Sequence, residues 1–370
     1  MDPAWVGDIP ASWAAAEPGR LALMDESGSH SWQELDEGRR AWAARLRELG
    51  VRAGDRVMVV GENAPAMAML VFAVTTLRAW IVNVNARLSA REVRTIREHC
   101  RARRVIYLAG ISPDARAHAA ADAAAVPLDG GRWGEMAISA LEQAAEPEPM
   151  DGDPARDVAA LLYTTGTTGH PKAVMLTHAS LLFIARAARD LRAITPRDRV
   201  LALLPLTHVY GLASVCLGSL LGGASLHFQA RFAPAAAVAF IREQRLTVCQ
   251  GVPAMYAKLL QHLRAAGEAA FAAPALRFLY AGGSPLALEL KRDVEAFFGL
   301  TLHNGYGLTE ASPTLTQTRH EAPRDDCSVG PALPGVELRI VDGAGRDLPD
   351  GDVGELWARG PNVMKGYYRD

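Results

Sequence analysis

Four cysteines in 370 residues are too few and too scattered to build a fold on. Cys100, Cys216, Cys249 and Cys327 form no Cys-x-x-Cys pair, and no histidine stands at zinc-finger spacing from them. A disulfide framework and a structural metal site are thereby disfavoured, and a reducing compartment is implied. An excess of one charge is missing too. Lys and Arg number 39 against 41 Asp and Glu, a formal net charge of −2, so the totals point to no nucleic-acid partner and no anionic membrane. Long apolar runs are also lacking: Ala64 to Ala86 is broken by Arg78, and Ala213 to Phe228 carries three glycines. Neither supplies the unbroken ~20 residues of a spanning helix, so no stable membrane insertion is expected. The first 17 residues, with Asp2, Asp8 and prolines, lack the apolar core of a secretory signal, and the expected location is cytoplasmic.

What is present suits a globular protein that handles small molecules. A hydrophobic content of 49% with 22% charged residues can bury a substantial core, and the length predicts two or three packed units. From residue 30 to 110 the pattern alternates helix and strand. Ser31 and Glu34 form a capping box for a helix carrying Leu35, Trp42, Leu46 and Leu49 and stopping at Gly50. A strand over Arg56 to Val60 follows, then a second box, Ser89 and Glu92, a helix through Val93, Ile96 and Cys100, and a strand over Arg104 to Leu108. Such alternation implies a parallel sheet. Residues 115–125, rich in alanine, read as helix, and the acidic, proline-broken stretch 146–154 reads as a connector. Beyond it, strands are expected over Val158 to Tyr163, Val200 to Leu204, Thr247 to Gly251 and Leu276 to Ala281, with helices over Pro234 to Gln244 and Leu286 to Phe298. From about Ser328 period-two alternation and the Asp342-Gly343 and Asp350-Gly351 turns take over. The predicted fold is α/β: subdomains over 1–150 and 151–327, stacked and built on mainly parallel sheets, and a small β-rich unit over 328–370.

The densest chemistry lies between Leu161 and Lys172. An apolar strand runs into Thr164, Thr165, Gly166, Thr167, Thr168 and Gly169, and Lys172 closes the segment. Glycines let successive backbone N–H groups converge on an anion, four hydroxyls add donors, and the lysine adds charge: a phosphate cradle. It is not a Walker loop, because Pro171 stands at the second glycine's place and Ala173 at the hydroxyl's. A second segment, Asn304 to Glu310 (Asn-Gly-Tyr-Gly-Leu-Thr-Glu), places glycines around Tyr306 so that the ring can lie against a base. Thr309 can bond a phosphate oxygen, and Glu310 can hold magnesium. His208 follows a buried strand within Pro205 to Leu212, and Gly282, Gly283 and Ser284 end another strand with little side chain, which lets a ligand approach the backbone.

The run from Leu161 to Lys172 resembles the phosphate-binding signature of the adenylate-forming superfamily, with Thr165 where serine is usual and Ala173 where glycine is usual. Asn304 to Glu310 resembles its second signature, and Gly354 to Pro361 with Gly366, Tyr367 and Tyr368 resembles a segment of its small β-subdomain, for which a mainly structural role is implied. The matches span nearly the whole chain. The resemblance implies that Tyr306 stacks on adenine, Thr309 contacts the α-phosphate and Glu310 ligates Mg²⁺. It further implies that Thr164, Thr165, Gly166, Thr167, Thr168, Gly169 and Lys172 hold the β and γ phosphates, with Gly282, Gly283, Ser284, Asn304 and Gly307 bordering the nucleotide. His208, Val209, Gly211, Gly282 and Gly307 would line the acid, with His208 orienting its carboxylate.

The implied reaction is an acyl-CoA synthetase's: a fatty or aromatic acid is activated by ATP with Mg²⁺ as acyl adenylate, then transferred to CoA. Transfer to a carrier-protein thiol, or nucleotide binding without turnover, are the alternatives. Residues 199–242 contain no Asp or Glu, which disfavours an amino-acid substrate, while Arg231 offers a cation for a second carboxylate. Family members continue into a mobile lysine-bearing domain, so the chain is expected to be the large N-terminal portion of a ligase. A homodimer is a further expectation.

Overall fold

The structure is a computed structural model, and it describes residues 2–164 and 172–370. Two eight-stranded sheets dominate it, each with parallel strands at the centre and antiparallel strands at the edges. In the first sheet the order is Thr314–Gln317, Leu302–Gly307, Phe278–Ala281, Val248–Gly251, Arg199–Ala202, Ser225–Phe228, Leu21–Asp25, Gly28–Ser31. In the second it is Gly366–Tyr367, Lys172–Thr177, Val158–Thr164, Trp80–Asn85, Arg56–Gly61, Arg104–Tyr107, Glu135–Ile138, Val126–Asp129.

Period-two alternation decides which layer each strand residue joins. Val57 and Val59 face the core between the sheets, whereas Met58 and Val60 face the outer helix Ala90–Cys100; in the first sheet Val200 and Ala202 face inward and Leu201 and Leu203 outward. Between the sheets lies the helix Pro65–Thr76, eleven of whose twelve residues are buried. That helix and the strand Trp80–Asn85 account for the apolar stretch from 64 to 86. The chain reverses between them at Arg78, which takes a positive φ of 59°. Among the described residues no helix is long and apolar enough to cross a membrane.

Both capping boxes form. Ser31 and Glu34 open the helix Trp32–Glu48, Ser89 and Glu92 open Ala90–Cys100, and in each the side chains exchange bonds with the opposite backbone N–H. The alanine-rich helix is shorter than expected, Pro113–Ala121. Asp122 leaves helical geometry, and its carboxylate accepts from Arg97 (2.8 Å) and the Tyr107 hydroxyl (3.0 Å).

Three sequence expectations need correction. A boundary near residue 150 does not separate the sheets. Leu21–Asp25 and Gly28–Ser31 join the first, while Val158–Thr164 and Lys172–Thr177 join the second, because strand pairing is chosen in space. The phosphate segment joins two antiparallel strands, with Thr164 opposite Lys172, and the strand Lys172–Thr177 was not foreseen. The β-rich end is also not self-contained. Glu337–Val341 and Glu355–Arg359 form their own hairpin, but Gly366–Tyr367 crosses to pair with Val174 and Met175. All four cysteines are free thiols, three of them buried.

Candidate active site

Several parallel strands of the first sheet end together, at Ala202, Gly251, Ala281 and Gly307. Open α/β sheets bind ligands outside such carboxyl ends, since loops there can vary without disturbing the ladder. His208 lies beyond Ala202. Two asparagines from the other sheet pin the segment that carries it. Asn63 donates to the carbonyls of Ala202 (3.2 Å) and Leu204 (2.8 Å) and accepts from the Leu206 N–H (2.8 Å), while Asn83 donates to the Leu206 carbonyl (3.1 Å). Sequence reading missed both; a polar residue within or just after an apolar strand was their only signal.

The imidazole of His208 opens to solvent on one side, yet the protein packed around the rest of it lowers its pKa below the ordinary histidine value. It is therefore neutral at pH 7, with one N–H to donate and one nitrogen to accept. After it the chain enters a π-helix, Tyr210–Leu217. Val209 turns into the central core at 5% exposure. A Cβ on Gly211 would stand 2.2 Å from the Pro205 carbonyl oxygen, so glycine there lets the helix pack on the preceding turn. Neither residue faces an open site as the sequence suggested.

Gly282 and Gly283 turn around the ring of Tyr210. The space beside Gly282 meets that ring at 3.4 Å, and Gly283 takes a φ of +81°, which favours glycine. Ser284 is exposed. Asn304 is 4% exposed, and its amide already donates to the carbonyls of Cys327 (3.2 Å) and Ser328 (3.4 Å), so it fixes the neighbouring loop. Tyr306 projects its ring to solvent at 44% exposure. Gly307 packs against the Pro313 carbonyl, 2.0 Å from where a Cβ would be, and a side chain there would push this strand end off its neighbour.

Thr309 and Glu310 begin a single 3-10 turn, both half-buried. Glu310 does not stand alone. The Tyr367 hydroxyl donates to its Oε1 at 2.7 Å, and this bond pushes the tyrosine pKa up to about 12. On the same Tyr367 ring sits the Lys172 ammonium, 4.5 Å from the centroid, and Lys172 also pairs with Asp370 at 3.1 Å. One aromatic residue, on a strand that crosses between units, thus joins the lysine of one sheet to the glutamate of the other. Tyr367, for which a mainly structural role was expected, also touches both candidate charged residues. Thr165, Gly166, Thr167, Thr168 and Gly169 lie outside the described residues. Arg231, read as a cation for a second carboxylate, is taken: it pairs with Glu62 at 2.8 Å and Asp114 at 2.6 Å.

Among the described residues no three metal-ligating side chains cluster. That fits Mg²⁺, which usually takes one or two carboxylates and fills its shell with water and substrate phosphates.

An exposed aromatic, Tyr306, and a carboxylate, Glu310, lie where parallel strands end, in keeping with an adenylate-forming enzyme. The chain belongs to the AMP-binding enzyme family, which it matches over residues 11–368, and is an enzyme of the acid–CoA ligase class. It is 32% identical over 366 residues to a feruloyl-CoA synthase from Amycolatopsis, covering 98% of this chain and 71% of that one. It is 32% identical to 4-coumarate–CoA ligase 3 of Oryza sativa, covering 95% and 65%. Among solved structures, apo MatB from Rhodopseudomonas palustris superposes with a TM-score of 0.83 at 29% identity, over 100% of this chain and 72% of that one.

Proposed function

We propose that this chain activates a carboxylic acid with ATP as its acyl adenylate and passes the acyl group to the thiol of coenzyme A. The observation that carries the reading is the meeting of Lys172 and Glu310 at Tyr367. Cation and carboxylate stand together where a phosphate chain and its counter-ion need one of each.

Carboxylates acylate poorly because oxide is a poor leaving group. In the first step a substrate carboxylate oxygen attacks the α-phosphorus, the bond to pyrophosphate breaks, and pyrophosphate leaves. In the second the thiol sulfur attacks the acyl carbonyl, its proton is lost, and AMP departs with the bonding pair. The protein's part is positioning and charge compensation. Lys172 exchanges Asp370 for a phosphate oxygen. Tyr306 offers an open face to adenine, and Thr309 a hydroxyl to the α-phosphate. Neutral His208 donates to the acid's carboxylate and so aims it. Glu310 would hold Mg²⁺, which supplies positive charge to the phosphates when bound.

ATP–pyrophosphate exchange across short, medium, long-chain and aryl acids tests the first step. Product formation with CoA against carrier-protein acceptors tests the second. Absence of acid-dependent exchange with every acid would remove the proposal.

A further inference from the structure

Arg192 is 1% exposed, yet it forms no ion pair among the described residues, and residues 165–171 contain no acid that could serve. Its recorded hydrogen bonds go to two neutral oxygens. Nε and Nη2 donate to Gln317 Oε1 at 3.2 and 3.1 Å, and Nη1 donates to Gln250 Oε1. The guanidinium lies over the Tyr280 ring, 4.4 Å from its centroid. Guanidinium cannot accept, so both glutamines must turn their oxygens toward it. Their amide nitrogens are then left over: Gln250 Nε2 and Gln317 Nε2 are buried without partners, and so is the Tyr210 hydroxyl. The cluster has more donors than acceptors and an uncompensated positive charge, an expensive state for a buried site unless something brings in an acceptor.

The cluster adjoins the place where an acid would lie. Tyr210 packs against Gly282 and Gly283 on one side and meets the Tyr280 ring edge-on at 6.0 Å on the other. Four residues along the π-helix, Ser214 faces Thr314 at 3.5 Å, and Thr314 follows the Pro313 carbonyl that packs on Gly307. Ser214, Thr314, Arg192 and Gln317 line one tight gap that is closed to a water-sized molecule.

We infer that Arg192, with Gln250 and Gln317, is the specificity-determining group at the far end of the acyl pocket. It selects acids carrying an oxygen acceptor, a carboxylate or an aryl oxygen, at the end remote from the reacting carboxyl. This rests on the adenylating reading above. Sequence offered Arg231 for such a role, but the structure has already paired it; among the described residues Arg192, inconspicuous at a helix end, is the buried cation left without an anion.

The test uses matched acids that differ only at the far end: butanoate and succinate, hexanoate and hexanedioate, cinnamate and 4-hydroxycinnamate. Pyrophosphate exchange gives kcat/KM for each, and thermal shift in the presence of AMP gives binding without turnover. At least one acceptor-bearing acid is expected to exceed its plain partner tenfold or more, and the pair that does so tells a carboxylate from an aryl oxygen. In Arg192→Met that ratio should fall at least tenfold through KM, whatever happens to absolute rates. Arg192→Lys should keep part of it, and Gln317→Leu serves if the methionine variant does not fold. Plain and acceptor-bearing acids used equally, or a ratio unmoved by all three substitutions, overturns the inference while leaving the adenylating reading intact. No exchange with any acid, alongside no shift with ATP, overturns both.

Discussion

Each of the two sheets has a fully buried arginine beside it, and they are treated in opposite ways. Arg56, which opens a central strand of the second sheet, gives its donors to four backbone carbonyls: Cys100 at 2.9 Å, Gly54 at 2.9 Å, Glu146 at 2.8 Å and Arg101 at 3.3 Å. Glu148 stands 4.0 Å away. Arg192, beside the first sheet, meets two amide oxygens and leaves neighbouring donors idle. The first arginine ties chain segments together; the second is a charge set among in-strand side chains with no anion beside it. Burial alone therefore does not assign a cation its role. The hydrogen-bond inventory around it does.

The sharpest way to break this comparison is to remove each charge in turn. Arg56→Met strands four carbonyls and is expected to cost about 3–5 kcal/mol of stability, whereas Arg192→Met removes an uncompensated charge and should stay within about 1 kcal/mol of the parent. Urea unfolding measures both, and equal losses would erase the distinction. At the half-buried residues that meet at Tyr367, Lys172→Ala or Glu310→Ala should slow pyrophosphate exchange about 100-fold, of order 3 kcal/mol, with little change in melting. Unchanged exchange in both variants removes their assignment.

A pH series probes buried groups in and between the sheets. Burial lowers His178 to about 3, and His227 and His303 to about 4, so the fold holds them neutral while the unfolded chain protonates them near 6.5. Below that value the unfolded state binds more protons. Stability is therefore full above about 6.5 and falls as pH drops toward 4, by at most roughly 4 kcal/mol per unit for three protons. A melting temperature flat from pH 7 to 4.5 would contradict this. The smallest effect belongs to Tyr367→Phe, which keeps the ring under Lys172 but deletes the 2.7 Å bond to Glu310. About 1 kcal/mol, or roughly fivefold in exchange and more at low Mg²⁺, is expected, and a magnesium titration reads it.

Much of this was legible beforehand, where local rules decide. Capping boxes at Ser31 and Ser89, the strand opening at Arg56, and the turn carrying Gly282 follow from short-range patterns that tertiary context had no reason to override, whereas Tyr306, read as lying after a strand, sits inside one, Leu302–Gly307. The strand Lys172–Thr177 escaped because a six-residue stretch after a proline is weak signal until it finds a partner. Val209 and Gly211 were read toward the site because they neighbour His208, but a helix sends successive residues in different directions.

By itself the sequence determined the class: an alternating α/β chain with a threonine- and glycine-rich segment ending in Lys172 and an aromatic-carboxylate motif, because both are contiguous runs of residues. Only the tertiary structure decided which distant charges meet. Lys172, Glu310 and Tyr367 come together across sheets, Arg231 is consumed by Glu62 and Asp114, and Arg192 is left among donors. Those outcomes depend on strand order and on which donors find acceptors after packing, and neither is written in any local stretch of residues.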